Sequence, residues 1–261
     1  MAALDLIQGQ TVAPSTSLVN VTLASGDSLA IKNAPQNAYL LQIFTHVQGA
    51  GFLRIASSRM HDVDVGLRFR TRVADPIPLL PPPYLQSLYT QDTLEAQLSG
   101  SAVVGDIESM ALQIYYPSLP GSDGVFSDVV TIRQRMRNLF TQQVNLTAGT
   151  AGGYSGARAI NADFDRMKAN TDYALLGGVS DVTQLVITVR SPDTGNLRIA
   201  FPANSAKREM TKNYFACISD KYGLPLIPIF NSANKGATTV ETVNNENAAS
   251  PIVTSFFAEL V

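Results

Sequence analysis

Apolar and polar residues alternate with period two along much of this chain, the mark of half-buried strands. Val63-Asp64-Val65-Gly66-Leu67-Arg68-Phe69-Arg70 is one clear example and Leu94-Glu95-Ala96-Gln97-Leu98 another. Leu18–Leu23, Tyr39–Val47 and Met110–Tyr116 are further candidates in the first half. In the second half the candidates are Gln184–Val189, Leu197–Phe201, Tyr214–Ile218, Leu224–Phe230, Thr238–Val243 and Ile252–Val261. Turn clusters such as Ser191-Pro192-Asp193-Thr194-Gly195 separate them. Many short strands between such turns predict antiparallel sandwiches or barrels.

Two stretches depart from this pattern. Residues 1–17 are mostly small or polar and read as an arm, extended or docked on a neighbour. From Ser127, a good N-cap, Val129, Ile132, Met136, Leu139 and Phe140 follow helical spacing and predict a helix over about 127–143. The Gly-rich run Ala148–Gly156 then reads as a flexible joint, and Asn161–Met167 as a second short helix. Prolines 76, 78 and 81–83 read as a sheet edge or wrapping loop.

The chain also matches itself. Shifted by 144 positions, residues 38–56 fall on residues 182–200 without a gap, with 7 identities in 19 positions. They include Leu53-Arg54-Ile55-Ala56 on Leu197-Arg198-Ile199-Ala200. Average composition would give about one identity over such a length. Pro78–Pro81 falls on Pro225–Pro228, and Met110–Tyr116 closes the first half as Ser255–Val261 closes the second. A period this long implies two whole units rather than a solenoid. The expected organisation is an N-terminal arm at 1–17, a first β unit at 18–118, a linker at 119–163 and a second β unit at 164–261.

Composition changes the picture in one respect. Charged residues are 15% of the 261, against ~25% in ordinary soluble proteins. Asn33–Leu53, Pro76–Gln91 and Asn138–Ala157 contain none. Such a surface fits a chain that packs against copies of itself. A net charge of -2 argues against a surface that grips nucleic acid throughout. The opening residues have no basic, apolar leader pattern, and no apolar run is long enough to span a bilayer.

Candidate chemistry is sparse. The single cysteine, Cys217, sits in the apolar run Tyr214–Ile218 and reads as a buried core thiol. His46 lies within a strand run. His61 with Asp62 and Asp64 could offer metal ligands only if the segment were a loop. No Cys pair, His-Glu-x-x-His or Gly-x-Ser-x-Gly is present. The expectation is therefore a protein without catalytic residues, metal or cofactor. One cluster stands out: Arg133 and Arg137, one helical turn apart and flanked by Arg135. These arginines are candidates to meet phosphates of a lipid headgroup or packaged nucleic acid, or carboxylates of a neighbour.

Two β units, a helix-bearing linker, a weakly charged surface and no recognisable site resemble the double jelly-roll major capsid proteins of icosahedral viruses. The small members from membrane-containing bacterial viruses are the most similar. The resemblance covers residues 18–261 in architecture and carries over no functional residue. It implies an all-β chain of two tandem antiparallel jelly-roll sandwiches from an internal duplication. It further implies homotrimers with a pseudo-hexagonal footprint that tile a capsid, contacts with minor capsid or penton proteins, and location in the virion. A tandem β-sandwich binding module of a phage tail or spike is the alternative, with Tyr84, Tyr89, Tyr115 and Tyr116 as candidate glycan-stacking residues. An enzyme on a duplicated metal-binding barrel would need more than the chain's two histidines.

Overall fold

The computed structural model describes residues 1–11, 15–60, 62–71, 85–122, 124–203, 211–244 and 250–261. The Pro76–Pro83 segment, His61 and Tyr84 lie outside them. The chain is all-β, built from antiparallel sheets. The first half contributes β1 (Ala3–Thr11), β2 (Val19–Asn20), β3 (Thr22–Leu23), β4 (Ala38–His46), β5 (Gly51–Ala56), β6 (Leu67–Thr71), β7 (Gln86–Leu88), β8 (Glu95–Leu98) and β9 (Glu108–Tyr116). They form one sheet in the order β3-β1-β9-β4-β7 and a second in the order β2-β8-β5-β6.

After β10 (Phe126–Ser127) and helix α1 (Val129–Arg135), the second half contributes β11 (Met136–Asn145), β12 (Arg158–Ala159), β13 (Asp172–Ser180), β14 (Gln184–Arg190) and β15 (Arg198–Ala203). Helix α2 (Tyr214–Tyr222) precedes β16 (Ile227–Asn231), β17 (Thr239–Val243) and β18 (Ile252–Leu260). Their sheets run β11-β18-β13-β16-β10 and β12-β17-β14-β15. With β3 and β10 set aside, each half places its eight strands in one and the same order, 1-8-3-6 in one sheet and 2-7-4-5 in the other. That order is the eight-strand winding of a jelly roll. Even an irregularity recurs. The third strand of each unit bulges against the last one, between Leu40 and Gln42 in the first unit and between Leu175 and Gly177 in the second.

This order corrects the alignment that first suggested repetition. Laying residues 38–56 on 182–200 places β4 on β14 and β5 on β15, one strand out of step. The topological mates of β4 and β5 are β13 and β14. The final match, of the β9 segment with the β18 segment, pairs equivalent strands, and the Pro78–Pro81 match lies outside the described residues. Apolar strand words resemble one another whatever strand they build, because every buried strand draws on the same few residues.

Other expectations also change. Residues 3–11 are not an arm. They form β1, paired residue for residue with β9 from Ala3↔Tyr116 to Thr11↔Glu108. Its polar residues are buried with partners: Asp5 accepts from Lys32 Nζ, and Gln8 Nε2 donates to the Gly152 carbonyl. The helix expected over 127–143 stops at Arg135. Asp128, not Ser127, is its cap and accepts from Thr131 N at 2.9 Å. Met136 turns extended, and Met136–Asn145 pairs along β18 instead. Phe140, Gln142 and Val144 satisfy period two as well as the first apolar positions satisfy helical spacing, and sheet pairing prevails.

The presumed linker 119–163 thus holds the first two strands of the second sandwich. Asn161–Met167 is a turn and bend running into irregular backbone rather than a helix, and Tyr214–Ile218 is helix, not strand. Cys217 projects from α2 as an exposed thiol, because the buried face of that helix is Tyr214, Phe215, Ile218 and Ser219.

The four sheets stack face to face. The outer face of the β1-β9-β4 sheet lies against β14 and β15 of the second unit. Contacts pair like ends of the sandwiches. At one end Leu119, whose N donates to Met1 O, leads on to Val125, whose N donates to Asp193 O of the second unit. At the other, Gln8 Nε2, toward the far end of β1, donates to the Gly152 carbonyl, and Gly152 N donates to Asn244 O just past β17. The two units therefore stand side by side with the same polarity.

Candidate assembly site

The junction between the units is the most elaborated polar site in the molecule, and its apolar frame comes first. Leu4, Leu6, Leu41, Phe44, Ala111 and Tyr115 point outward from the first sandwich yet are buried in the core of the second. Phe44 meets Tyr214 with ring centroids 6.3 Å apart. Gln113 bridges the layers: its Oε1 accepts from Ala200 N at 2.9 Å and its Nε2 donates to Asp5 O at 3.1 Å.

Within this frame Arg198, at the start of β15, lies between two carboxylates. Its NH1 is 3.3 Å from Asp27 Oδ1 and its Nε 3.1 Å from Glu241 Oε2. Its guanidinium sits 4.0 Å above the Tyr154 ring. Tyr154 Oη donates to Asp27 Oδ2 at 3.0 Å, and Gln8 N donates to the same oxygen at 2.7 Å. Asp27 belongs to the first unit, whereas Tyr154, Arg198 and Glu241 belong to the second. The cluster is thus a polar lock across the junction.

Burial pushes the Asp27 carboxyl above its ordinary value, further than its donors and Arg198 bring it back. Burial likewise pushes the Tyr154 phenol upward, reinforced by Asp27, so it stays protonated as a donor. Burial opposes the charge of Arg198, but Tyr154, Glu241 and Asp27 together more than offset it. A polar cavity of about 140 Å³, lined partly by Asp5, Lys32, Arg190 and Arg198, opens beside the lock.

The Gly-rich run read as a flexible joint belongs to this site. Gly152 has φ +68°, and a Cβ there would collide with the side-chain amide of Gln10 in the first unit. The glycine permits close approach between the units. Asp27, Tyr154, Arg198 and Glu241 were not singled out from the sequence. The available signal was an arginine inside the apolar run Leu197–Phe201, which must find an acceptor once buried.

The three arginines singled out from the sequence lie away from the junction, at the foot of the second unit. Arg133 and Arg137 are exposed. Arg135 is engaged within the chain: its Nε donates to Val261 O at 3.0 Å and its NH2 lies 3.5 Å from Asp172 Oδ2. The helix end and a β-bulge between Met136 and Asn138 separate Arg133 and Arg137, so they do not form one helical stripe. Val130, Met136, Leu139 and Val261, near them in the chain or paired with it, are exposed as well.

Of the aromatic candidates, Tyr115 and Tyr116 are buried and offer no platform, while Tyr89 is exposed beneath Arg59 at 5.8 Å. Tyr116 serves the core. Burial pushes its phenol up to about 12, and its oxygen accepts from Lys32 N at 3.2 Å. Asp62 closes a turn by accepting from the backbone N–H groups of Asp64 and Val65. Among the described residues no three His, Cys, Asp or Glu side chains are grouped to hold a metal. No described helix is long and apolar enough to cross a membrane.

No family model and no curated protein matches this chain. Among solved structures it shows a weak likeness to the major capsid protein P2 from bacteriophage PM2. Sequence identity is 11%, the TM-score is 0.20, and the match covers 100% of this chain and 98% of that chain. The fold described above is read from this chain's own strand order.

Proposed function

We propose that this chain is a structural virion protein, a major capsid protein whose homotrimers form pseudo-hexagonal capsomers and tile an icosahedral shell. The observation that carries the reading is the tandem of jelly rolls with one strand order and one polarity, locked through a buried junction. A trimer of such chains presents six similar blocks, so a threefold assembly fills a sixfold lattice site. The polar lock resists shear between blocks, and the weakly charged surface lets neighbours pack without stranding charge. In this reading Arg133 and Arg137 meet a neighbouring subunit, an internal membrane or packaged nucleic acid.

Native mass and negative-stain imaging of the purified protein test this. A trimer of about 84 kDa, three times the 28.0 kDa chain, that forms hexagonal plates or shells is the expected outcome. A stable monomer that binds oligosaccharide would overturn it in favour of a surface-binding module. Replacing Arg133 and Arg137 by Gln leaves the subunit folded and disturbs assembly or membrane contact; unchanged assembly and membrane contact would remove those arginines from the proposal.

A further inference from the structure

The edge of the first sandwich at β6 carries a charge that the described residues do not answer. Among the described strands β6 pairs with β5 alone, so its other edge is open. On the outer face of this pair Arg54 lies directly opposite Arg68, and Arg70, two residues along, lies opposite Phe52. Like charges set opposite one another across strands repel. Arg54 is answered: its guanidinium reaches Glu95 Oε2 at 2.8 Å, Gln97 Oε1 at 3.0 Å and the carbonyls of Val63, Asp64 and Val65. Arg68 and Arg70 are exposed, and neither has an ion pair or side-chain hydrogen bond with a described residue. Arg68 lies over the Phe52 ring, 4.4 Å from its centroid, and meets no carboxylate. The backbone at these two positions is open as well. Ser99 N donates to Phe52 O, on the β8 side of β5, at 2.9 Å. Backbone groups alternate in direction along a strand, so Phe52 and Arg54 turn theirs to β8, and Leu53 and Ile55 turn theirs to β6. The register Leu53↔Phe69 and Ile55↔Leu67 then engages Phe69 and Leu67 with β5. Arg68 and Arg70 are left with their N–H and C=O groups aimed at the open edge.

We propose that this edge binds an extended acidic segment of another polypeptide as an added antiparallel strand, with acids at alternate positions opposite Arg68 and Arg70. The proposal does not depend on the capsid reading. Two residues opposite each other in a hydrogen-bonded antiparallel pair share one face of the sheet. A strand that bonds the free backbone groups of Arg68 and Arg70 therefore sets two of its own side chains beside the two guanidiniums. Residues two apart on either strand are about 7 Å apart, so a single acid-x-acid element answers both charges. The partner's other side chains fall on the inner face, beside Leu67 and Phe69. Both are half-buried and pack on the core of the first unit, so apolar residues suit those places. The geometry thus specifies the order apolar-acid-apolar-acid-apolar. Main-chain bonds supply affinity in such a mode, and the side chains that alternate supply selectivity. Charged residues on an edge strand also guard it against unwanted pairing. Here the guard repels basic strands, leaves apolar ones without a counter-charge, and admits an acidic one.

Residue-resolved amide exchange on the full chain, in its native oligomeric state, tests this with the synthetic peptide Thr-Val-Glu-Val-Glu-Val-Thr as probe. The Arg68 and Arg70 amides exchange fast without the peptide and about ten-fold or more slowly when it is saturating. A peptide with both Glu replaced by Gln binds about three-fold or more weakly, and so does the original peptide to the double variant Arg68→Gln, Arg70→Gln. Slow exchange at both amides before any peptide is added overturns the proposal, because the edge is then already paired. Absence of binding, binding that leaves the two amides fast, and equal binding of the Glu and Gln peptides each overturn it. Oligothymidylate serves as the polyanion control. If it binds through Arg68 and Arg70 while the peptide does not, the arginines recognise phosphates of a nucleic acid and strand addition is overturned.

Discussion

Leu4 and Leu139 occupy equivalent places in the two sandwiches. Each sits on the first strand and points outward, opposite Tyr115 and Ala258 of the last strand. Leu4 is 0% exposed and Leu139 is 57% exposed. Four residues on, Gln8 and Gln143 repeat the contrast, one buried and one exposed. The residue types agree, the strand positions agree, and only the neighbour differs. Burial of the outward face is thus decided by what stacks on the sheet and not by the strand itself. The first unit's outward face is finished inside the chain, and among the described residues the second unit's keeps Leu139 and Gln143 exposed.

The sharpest way to break this comparison is the same truncation at both places. Leu4→Ala removes buried apolar volume from a junction core and destabilises the subunit by about 2–5 kcal/mol. Leu139→Ala changes the stability of the unassembled subunit by about 0.5 kcal/mol or less. Urea unfolding of the two variants below the assembly concentration measures both. Equal losses would mean that the outward faces are not distinguished in the way their exposure implies.

This contrast also explains what the sequence could disclose. The all-β class and most central strands were legible because each has an inward apolar face with period two. The tandem was legible in outline, yet the alignment that suggested it lay one strand out of register. The true equivalents share pairing geometry and a bulge more than they share residues. β1 was misread because Asp5, Gln8 and Gln10 look solvent-seeking, and their burial depends on partners from distant segments. The lock was invisible for the same reason: Asp27 and Arg198 are 171 positions apart in the chain. The extent of α1 was misjudged because the helical spacing of Val129 and Ile132 was carried on through Met136, Leu139 and Phe140, where Phe140, Gln142 and Val144 already follow period two.

A second, smaller effect tests the lock. Arg198→Met keeps an unbranched apolar stem but strips Asp27 and Glu241 of their shared cation. Asp27 retains Tyr154 and Gln8 as donors and can take up a proton, which limits the loss to about 2 kcal/mol. Arg68, on the outer face of β5 and β6, is exposed, and Arg68→Met changes subunit stability by about 0.5 kcal/mol or less. Urea unfolding of the isolated subunits compares them. If Arg68→Met cost as much as Arg198→Met, the β5–β6 face would already be serving the stability of the single subunit.

The smallest effect concerns a buried acid found only in the first unit. Glu108 begins β9, is fully buried, and accepts from Ser101 N at 2.7 Å and Gln48 N at 2.8 Å. Pro251 stands at the corresponding place in the second unit, where Leu146 N donates to its carbonyl. Burial pushes the Glu108 carboxyl above its ordinary value of 4.5, further than those two N–H groups lower it. A folded-state value above the unfolded one means that the folded protein holds the proton longer. The favourable contribution of protonated Glu108 is therefore complete below 4.5 and is lost as pH rises through the elevated value. Glu108→Gln, which cannot ionise, removes this slope. The thermal midpoint of the wild type should fall relative to that of Glu108→Gln as pH is raised from 4.5 toward neutrality. A wild-type midpoint that rises relative to the variant over the same range would show that the two backbone donors outweigh burial. The first unit would then hold Glu108 as a stable anion at the head of its last strand.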